Sequence, residues 1–153
     1  MPNTYTQMNI HAVFAVKGRE NIINRNFRDE LHKYIHGILS NKKQYPLAVN
    51  GWKDHIHIFF EMLPVSNLSD IIQVVKASSS KWINEQKFIR GKFSWQEGYG
   101  GFTYAKSQRN EVINYIKDQE KHHSKQTFRE EYLDLLKKFE IKYDEKYLFE
   151  FYE

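Results

Sequence analysis

The 153-residue chain is 41% hydrophobic and 16% aromatic, which argues against disorder and for one domain, able to bury roughly 70% of its unfolded surface. With no cysteine it has no disulfide, no thiolate metal site and no cysteine nucleophile. Its 23 basic against 19 acidic residues give a net charge of +4, which favours a polyanionic partner without requiring one; the absence of a leader pattern and of any apolar stretch of spanning length points to no membrane and to a prokaryotic cytoplasm.

In chain order, residues 6–16 alternate, with Met8, Ile10, Ala12, Phe14 and Val16 on one side, and read as a first strand. Residues 27–39 are amphipathic through Phe27, Leu31, Tyr34, Ile35 and Ile38, which predicts a helix. Residues 45–52 and 55–62 read as a hairpin joined near Lys53-Asp54. Asn67 or Ser69 starts a second helix that runs through Ile71, Ile72, Val75 and Trp82 towards Gln86. Residues 94–104 supply a glycine-interrupted fourth strand, and helices are predicted at 107–123, with Ser107 as N-cap, and at 128–139. The order β-α-β-β-α-β is the ferredoxin-like plan of the α+β class: an antiparallel sheet, helices on one face, strands one and three central. The expected core spans about 5–105, and the two last helices with the tail, about 107–153, are an addition to it.

Within the third strand, Asp54-His55-Ile56-His57-Ile58-Phe59-Phe60 puts His55 and His57 on one face and the isoleucines on the other. Two imidazoles on a rigid sheet can hold one divalent cation and leave much of its coordination open. On the helix at 107–123, Tyr115 and Gln119 are four residues apart and so share a face. A phenol beside a neutral amide oxygen can present a nucleophile next to a metal ligand. Each motif alone has a plainer reading, as a hydrogen-bonded sheet histidine or a packed helical tyrosine.

Other residues read as structural. His122 and His123 lie about 100° apart around a helix, too divergent to serve one metal together, and are expected as helix C-terminal cations or DNA contacts. His11 reads as an ordinary sheet histidine unless the register turns it to the site. Asp54 is a turn residue that can also partner a ligating imidazole. Gly98, Gly100 and Gly101 lack the lysine of a phosphate loop and mark a bulge or turn. Trp52, Trp82 and Tyr99 could stack on unpaired bases, but packing is the first expectation. Acidic residues crowd the C-terminal third, Glu130, Glu131 and Asp134 among them, so the positive excess falls earlier, in Lys17, Arg19, Arg25, Arg28, Arg90 and Lys92.

His-hydrophobe-His on a strand with Tyr-x-x-x-Gln on a later helix resembles the IS200/IS605-type single-tyrosine transposases of the HUH nuclease superfamily, which include REP-associated tyrosine transposases. The likeness runs from FAVKGR (14–19) through WQEGYGGF (95–102) to YDEKYL (143–148). It implies a DNA transposase that cuts and rejoins single-stranded DNA beside a hairpin, with Tyr115 as nucleophile, a covalent 5′-phosphotyrosine and a free 3′-hydroxyl. The suggested metal ligands are His55, His57 and Gln119. Mg²⁺ or Mn²⁺ is expected, zinc remaining open. The family further implies a homodimer with active sites shared between subunits. Two alternatives stand beside this: a domesticated REP-associated hairpin nickase, which keeps the same groups, and a non-catalytic RRM-like single-strand binding module, which would carry aromatics where the histidines are.

Overall fold

The structure, a computed structural model, describes residues 3–18 and 22–152; Arg19 of the FAVKGR segment and Glu153 lie outside the described residues. The chain runs β1 (Asn9–Ala15), α1 (Arg28–Asn41), β2 (Tyr45–Gly51), β3 (His55–Glu61), α2 (Leu68–Gln86), β4 (Gly100–Tyr104), α3 (Arg109–Lys117), α4 (Gln119–His123) and α5 (Phe128–Lys138). The four strands form one antiparallel sheet in the order β2-β3-β1-β4. The ferredoxin-like plan is therefore present, with β1 and β3 central.

Alternation along β1 and β3 sorts the sheet's two faces. Ile10, Ala12 and Phe14 with Ile56, Ile58 and Phe60 join the core that includes Leu31, Ile35 and Leu39 of α1 and Ile71, Ile72 and Val75 of α2. The opposite face carries His11, His55, His57 and Phe59. It too is covered: Phe59 and Ala48 pack with Val112 and Ile116 of α3, and the ring of Phe102 lies 4.9 Å from that of Phe139, at the end of α5. The C-terminal helices thus roof the second face of the sheet. No helix among the described residues is long and apolar enough to cross a membrane.

Two elements depart from the sequence expectation. Residues 94–96 pair with the end of β1 through Lys17 N–H to Ser94 O (3.0 Å) and Gln96 N–H to Ala15 O (2.8 Å), but the chain then leaves the sheet until Gly100. Gly98 takes φ +82°, open to glycine and costly for other residues, and Lys76 Nζ donates to Gln96 O and Gly98 O. The helix expected over 107–123 is also broken, at Asp118, into α3 and α4, preceded by a 3₁₀ turn at Lys106–Gln108. Ser107 is not a cap; the Gln108 side chain instead accepts from Ala105 N–H.

One buried group on α1 makes a pH prediction independent of the site. Burial lowers the pKa of His32 to about 4, the pull of Asp29 being weaker. Because the folded value lies below the unfolded 6.5, the unfolded chain binds the extra proton first. Stability is then complete above about pH 6.5 and falls as pH drops towards 4, by about 3 kcal/mol in full. Denaturant melts of His32→Leu should show a shallower loss between pH 6.5 and 4; an unchanged slope would remove His32 from the account.

Candidate active site

The site lies between the sheet and its roof. β3 supplies His55 and His57, fixed side by side in the central register opposite Ala15 and Val13 of β1. The roof is pinned at several points. Arg109, at the start of α3, donates to Asn9 Oδ1 (2.9 Å) and to Glu61 Oε2 (3.2 Å) across the ends of β1 and β3. Where α3 breaks, Asn50 Nδ2 of β2 donates to the carbonyls of Ile116 (2.9 Å) and Lys117 (3.0 Å), satisfying groups the interrupted helix leaves open. α5 begins with a capping box between Thr127 and Glu130, and its Phe128 and Tyr132 pack under Phe149 of the returning tail.

Gly100 is what lets α5 lie so close: a Cβ there would come within 2.8 Å of the Tyr132 ring and hydroxyl. Gly100→Ala should therefore cost about 1–3 kcal/mol by overpacking. Combined with Tyr132→Leu, the two changes should cost less than their sum in thermal melts; strict additivity would mean that the contact is not what limits the spacing.

All four residues singled out from the sequence converge here within one chain. His55 Nε2 lies 3.1 Å from Gln119 Oε1, and the Tyr115 ring sits 5.8 Å from that of His57. Two residues read otherwise from the sequence join them. Glu131 of α5, 2% exposed, places Oε1 3.1 Å from His57 Nε2 and 3.2 Å from His55 Nε2. Its Oε2 accepts from Gln119 Nε2 (3.1 Å) and, in a short hydrogen bond, from the Tyr115 hydroxyl. His123 Nε2 is 3.1 Å from both Glu131 Oε1 and Gln119 Oε1. The expectation that His123 faces solvent or DNA as a helix-end cation is corrected: its side chain is 3% exposed. His122 instead lays its ring 4.8 Å from that of Tyr115. His11 does turn to the site, its Nε2 sharing a 2.8 Å hydrogen bond with His57 Nδ1, and Asp54 Oδ1 lies 2.7 Å from His55 Nδ1.

The charges are strongly coupled. Burial opposes a charge on Glu131, but the facing imidazoles of His57, His123 and His55 outweigh it and hold the carboxyl far below the usual range. Burial likewise opposes a charge on His55, yet its bonds to Asp54 and Glu131 raise it to about 9. On His57 burial wins, and its pKa falls. The Tyr115 phenol is pushed upward by burial and by the negative charge of Glu131, so at rest it keeps its proton and donates it to Oε2.

His55, His57 and Glu131 offer ligand atoms within 4.8 Å of one another. Two imidazoles and a carboxylate, with the Gln119 amide oxygen adjoining, form a donor set that suits a divalent cation. A cleft of about 330 Å³, lined by Tyr104, Glu111, Tyr115, Glu131 and Lys138 among others, opens onto the phenol. A second, of about 290 Å³, reaches His123 past Trp52 and Asp54. Trp52 itself lies under the Arg28 guanidinium (4.7 Å) and Lys53 Nζ (5.3 Å). Trp82 is stacked on Tyr34, and Tyr99 is bonded to Ser69.

Comparison with known proteins bears on this arrangement. Among solved structures, a candidate transposase from Deinococcus radiodurans R1 aligns with a TM-score of 0.60 at 19% identity, covering 76% of this chain and 94% of its own. A REP-associated tyrosine transposase bound to a REP hairpin aligns with a TM-score of 0.58 at 11% identity, covering 79% of this chain and 72% of its own. At these identities the likeness is one of fold. No curated protein matches the sequence. The sequence pattern of the family described as "Transposase IS200 like" matches residues 4–119, which take in β1 to β4, the histidine pair, Tyr115 and Gln119. The chain belongs to the IS200-like transposase family.

Proposed function

We propose that the chain cuts and rejoins single-stranded DNA beside a hairpin, with Tyr115 as nucleophile and His55, His57, Gln119 and Glu131 as the cradle of a divalent cation. The observation that carries this is the convergence of a buried phenol, two sheet imidazoles and a carboxylate on one point, in a chain of transposase family. The fold neighbour bound to a REP hairpin supports hairpin DNA as the ligand class.

When bound, a divalent cation supplies positive charge that offsets the phosphate's non-bridging oxygens and draws charge from Glu131. The protein's own groups do the rest. His55 is oriented by Asp54 and His57 by His11, so both Nε2 atoms are aimed before substrate arrives. Gln119 Nε2 and the Tyr115 hydroxyl share Glu131 Oε2, which fixes the phenol oxygen. In attack, the Tyr115 oxygen forms a bond to phosphorus, its proton passes to Glu131 Oε2, and the bond to the 3′-oxygen breaks. The departing 3′-oxygen takes a proton from water to leave as a hydroxyl, Glu131 returns the tyrosine's proton to solvent, and the 5′-phosphate stays on Tyr115. Because the ester is retained, a second 3′-hydroxyl can reverse the step on another strand without an external energy source. Trp52, under two cations and beside the cleft that reaches His123, is suited to hold an unpaired base.

The RRM-like alternative is disfavoured, because the sheet face such a module would offer to bases lies beneath α3 and α5. A domesticated nickase would use the same residues as a transposase. The test of the shared chemistry is incubation with labelled hairpin-bearing single strands and Mg²⁺ or Mn²⁺: a denaturation-resistant protein–DNA adduct is expected, and cleavage without any adduct would refute the tyrosine route.

The homodimer with shared sites takes a different form in this proposal. Tyr115 reaches histidines of its own chain, and a short link from β4, with Arg109 bonded to Asn9 and Glu61, holds α3 over its own sheet. Mixing His55→Ala chains with Tyr115→Phe chains is therefore expected to restore no activity. Recovery in verified mixed dimers would mean that a second copy's tyrosine completes each site.

A further inference from the structure

We infer that His123 is a third imidazole ligand of this centre, and that the resulting nitrogen-rich donor set selects a borderline transition ion such as Mn²⁺, Co²⁺ or Zn²⁺ over Mg²⁺. The inference rests on the metal-dependent reading above and goes beyond it in ligand and metal identity.

Three observations carry it. The Nε2 atoms of His55, His57 and His123 stand 3.2, 3.1 and 3.1 Å from one atom, Glu131 Oε1, so three imidazoles surround a carboxylate oxygen of the His55–His57–Glu131 group. Each ring is also held from behind at Nδ1: His55 by Asp54 (2.7 Å), His57 by His11 (2.8 Å) and His123 by the Gln126 carbonyl (2.9 Å). A carbonyl can only accept, so Nδ1 of His123 carries the hydrogen and Nε2 faces the centre, as a metal-binding histidine oriented from its far side does. Third, His123 continues the face of Tyr115 and Gln119 by one more step of four residues, and its Nε2 sits 3.1 Å from Gln119 Oε1. With Nδ1 donating to the Gln126 carbonyl, a neutral His123 turns its Nε2 lone pair towards Gln119 Oε1 and Glu131 Oε1, so a proton or a cation must lie between them. Mg²⁺ favours oxygen and holds its waters, whereas three nitrogens suit Mn²⁺, Co²⁺ and Zn²⁺.

The test uses the full chain stripped of metal by chelation and titrated calorimetrically with MnCl₂, ZnCl₂ and MgCl₂. The wild type should bind Mn²⁺ and Zn²⁺ at least about tenfold more tightly than Mg²⁺, and His123→Ala should lose at least about tenfold in Mn²⁺ affinity. The exposed control His36→Ala should match the wild type. Equal affinity in His123→Ala, or Mg²⁺ binding as tight as Mn²⁺, would overturn the inference. Should His123→Ala fail to fold, pulsed electron paramagnetic resonance of Mn²⁺-loaded wild type counts coordinated imidazoles directly: three support the inference and two overturn it. Absence of all divalent binding would overturn the metal-dependent function as well, whereas Mn²⁺ held by two imidazoles would leave that function standing.

Discussion

Tyr115→Phe is expected to lower formation of the covalent protein–DNA adduct by at least about 10³-fold, since a residue acting as nucleophile has no substitute. The fold should survive. The ring keeps its place beside His57, His11 and His122, and Glu131 Oε2 keeps its bond from Gln119. Loss of one hydrogen bond to a charged acceptor costs about 1.5–3 kcal/mol. Affinity for hairpin single strands should stay within about twofold, since the charges that attract phosphate are untouched. Adduct surviving in this variant would move the nucleophile elsewhere.

His55→Ala should separate binding from chemistry in a second way. The imidazole faces Glu131, Gln119 and Asp54 together, so its removal takes away one arm of the proposed cation cradle and a partner that offsets the Glu131 charge. Cleavage should fall by about 10²–10³-fold, the scale on which single electrostatic contributors act, and metal affinity by about 10–100-fold. Retention of DNA in a mobility-shift assay is expected. If cleavage persists at ordinary metal concentration, the histidine pair is not the cradle; if DNA binding is lost in step with cleavage, the variant has disturbed the fold and a melt will show it.

Much of this was legible in the residues because the signals were local. Alternation in residues 55–60 placed His55 and His57 on one face, and the observed register agrees. The i, i+4 spacing of Tyr115 and Gln119 survives the helix break at Asp118 because Asn50 holds the two carbonyls there, a contact between distant segments that no helical pattern contains. Glu131 is hidden in the sequence for a different reason. Composition groups it with the acidic tail, although it falls on the stripe of Phe128, Tyr132, Leu135 and Leu136, all buried. A carboxylate on the apolar face of an amphipathic helix is a signal that it meets a partner indoors. Adjacency to His122 masks the role of His123, whose informative relation is to Gln119 four residues earlier. The exit of residues 97–99 from the sheet depended on Lys76, contributed from α2.

In the proposed reaction Tyr115 forms the bond to DNA. The most direct test of that bond is proteolysis of the adduct followed by tandem mass spectrometry of the modified peptide. The fragment Asn-Glu-Val-Ile-Asn-Tyr-Ile-Lys, which follows Arg109 and ends at Lys117, should carry a 5′-phosphorylated nucleotide on its tyrosine. Finding the nucleotide on another residue, or attached through its 3′ end, would contradict the account.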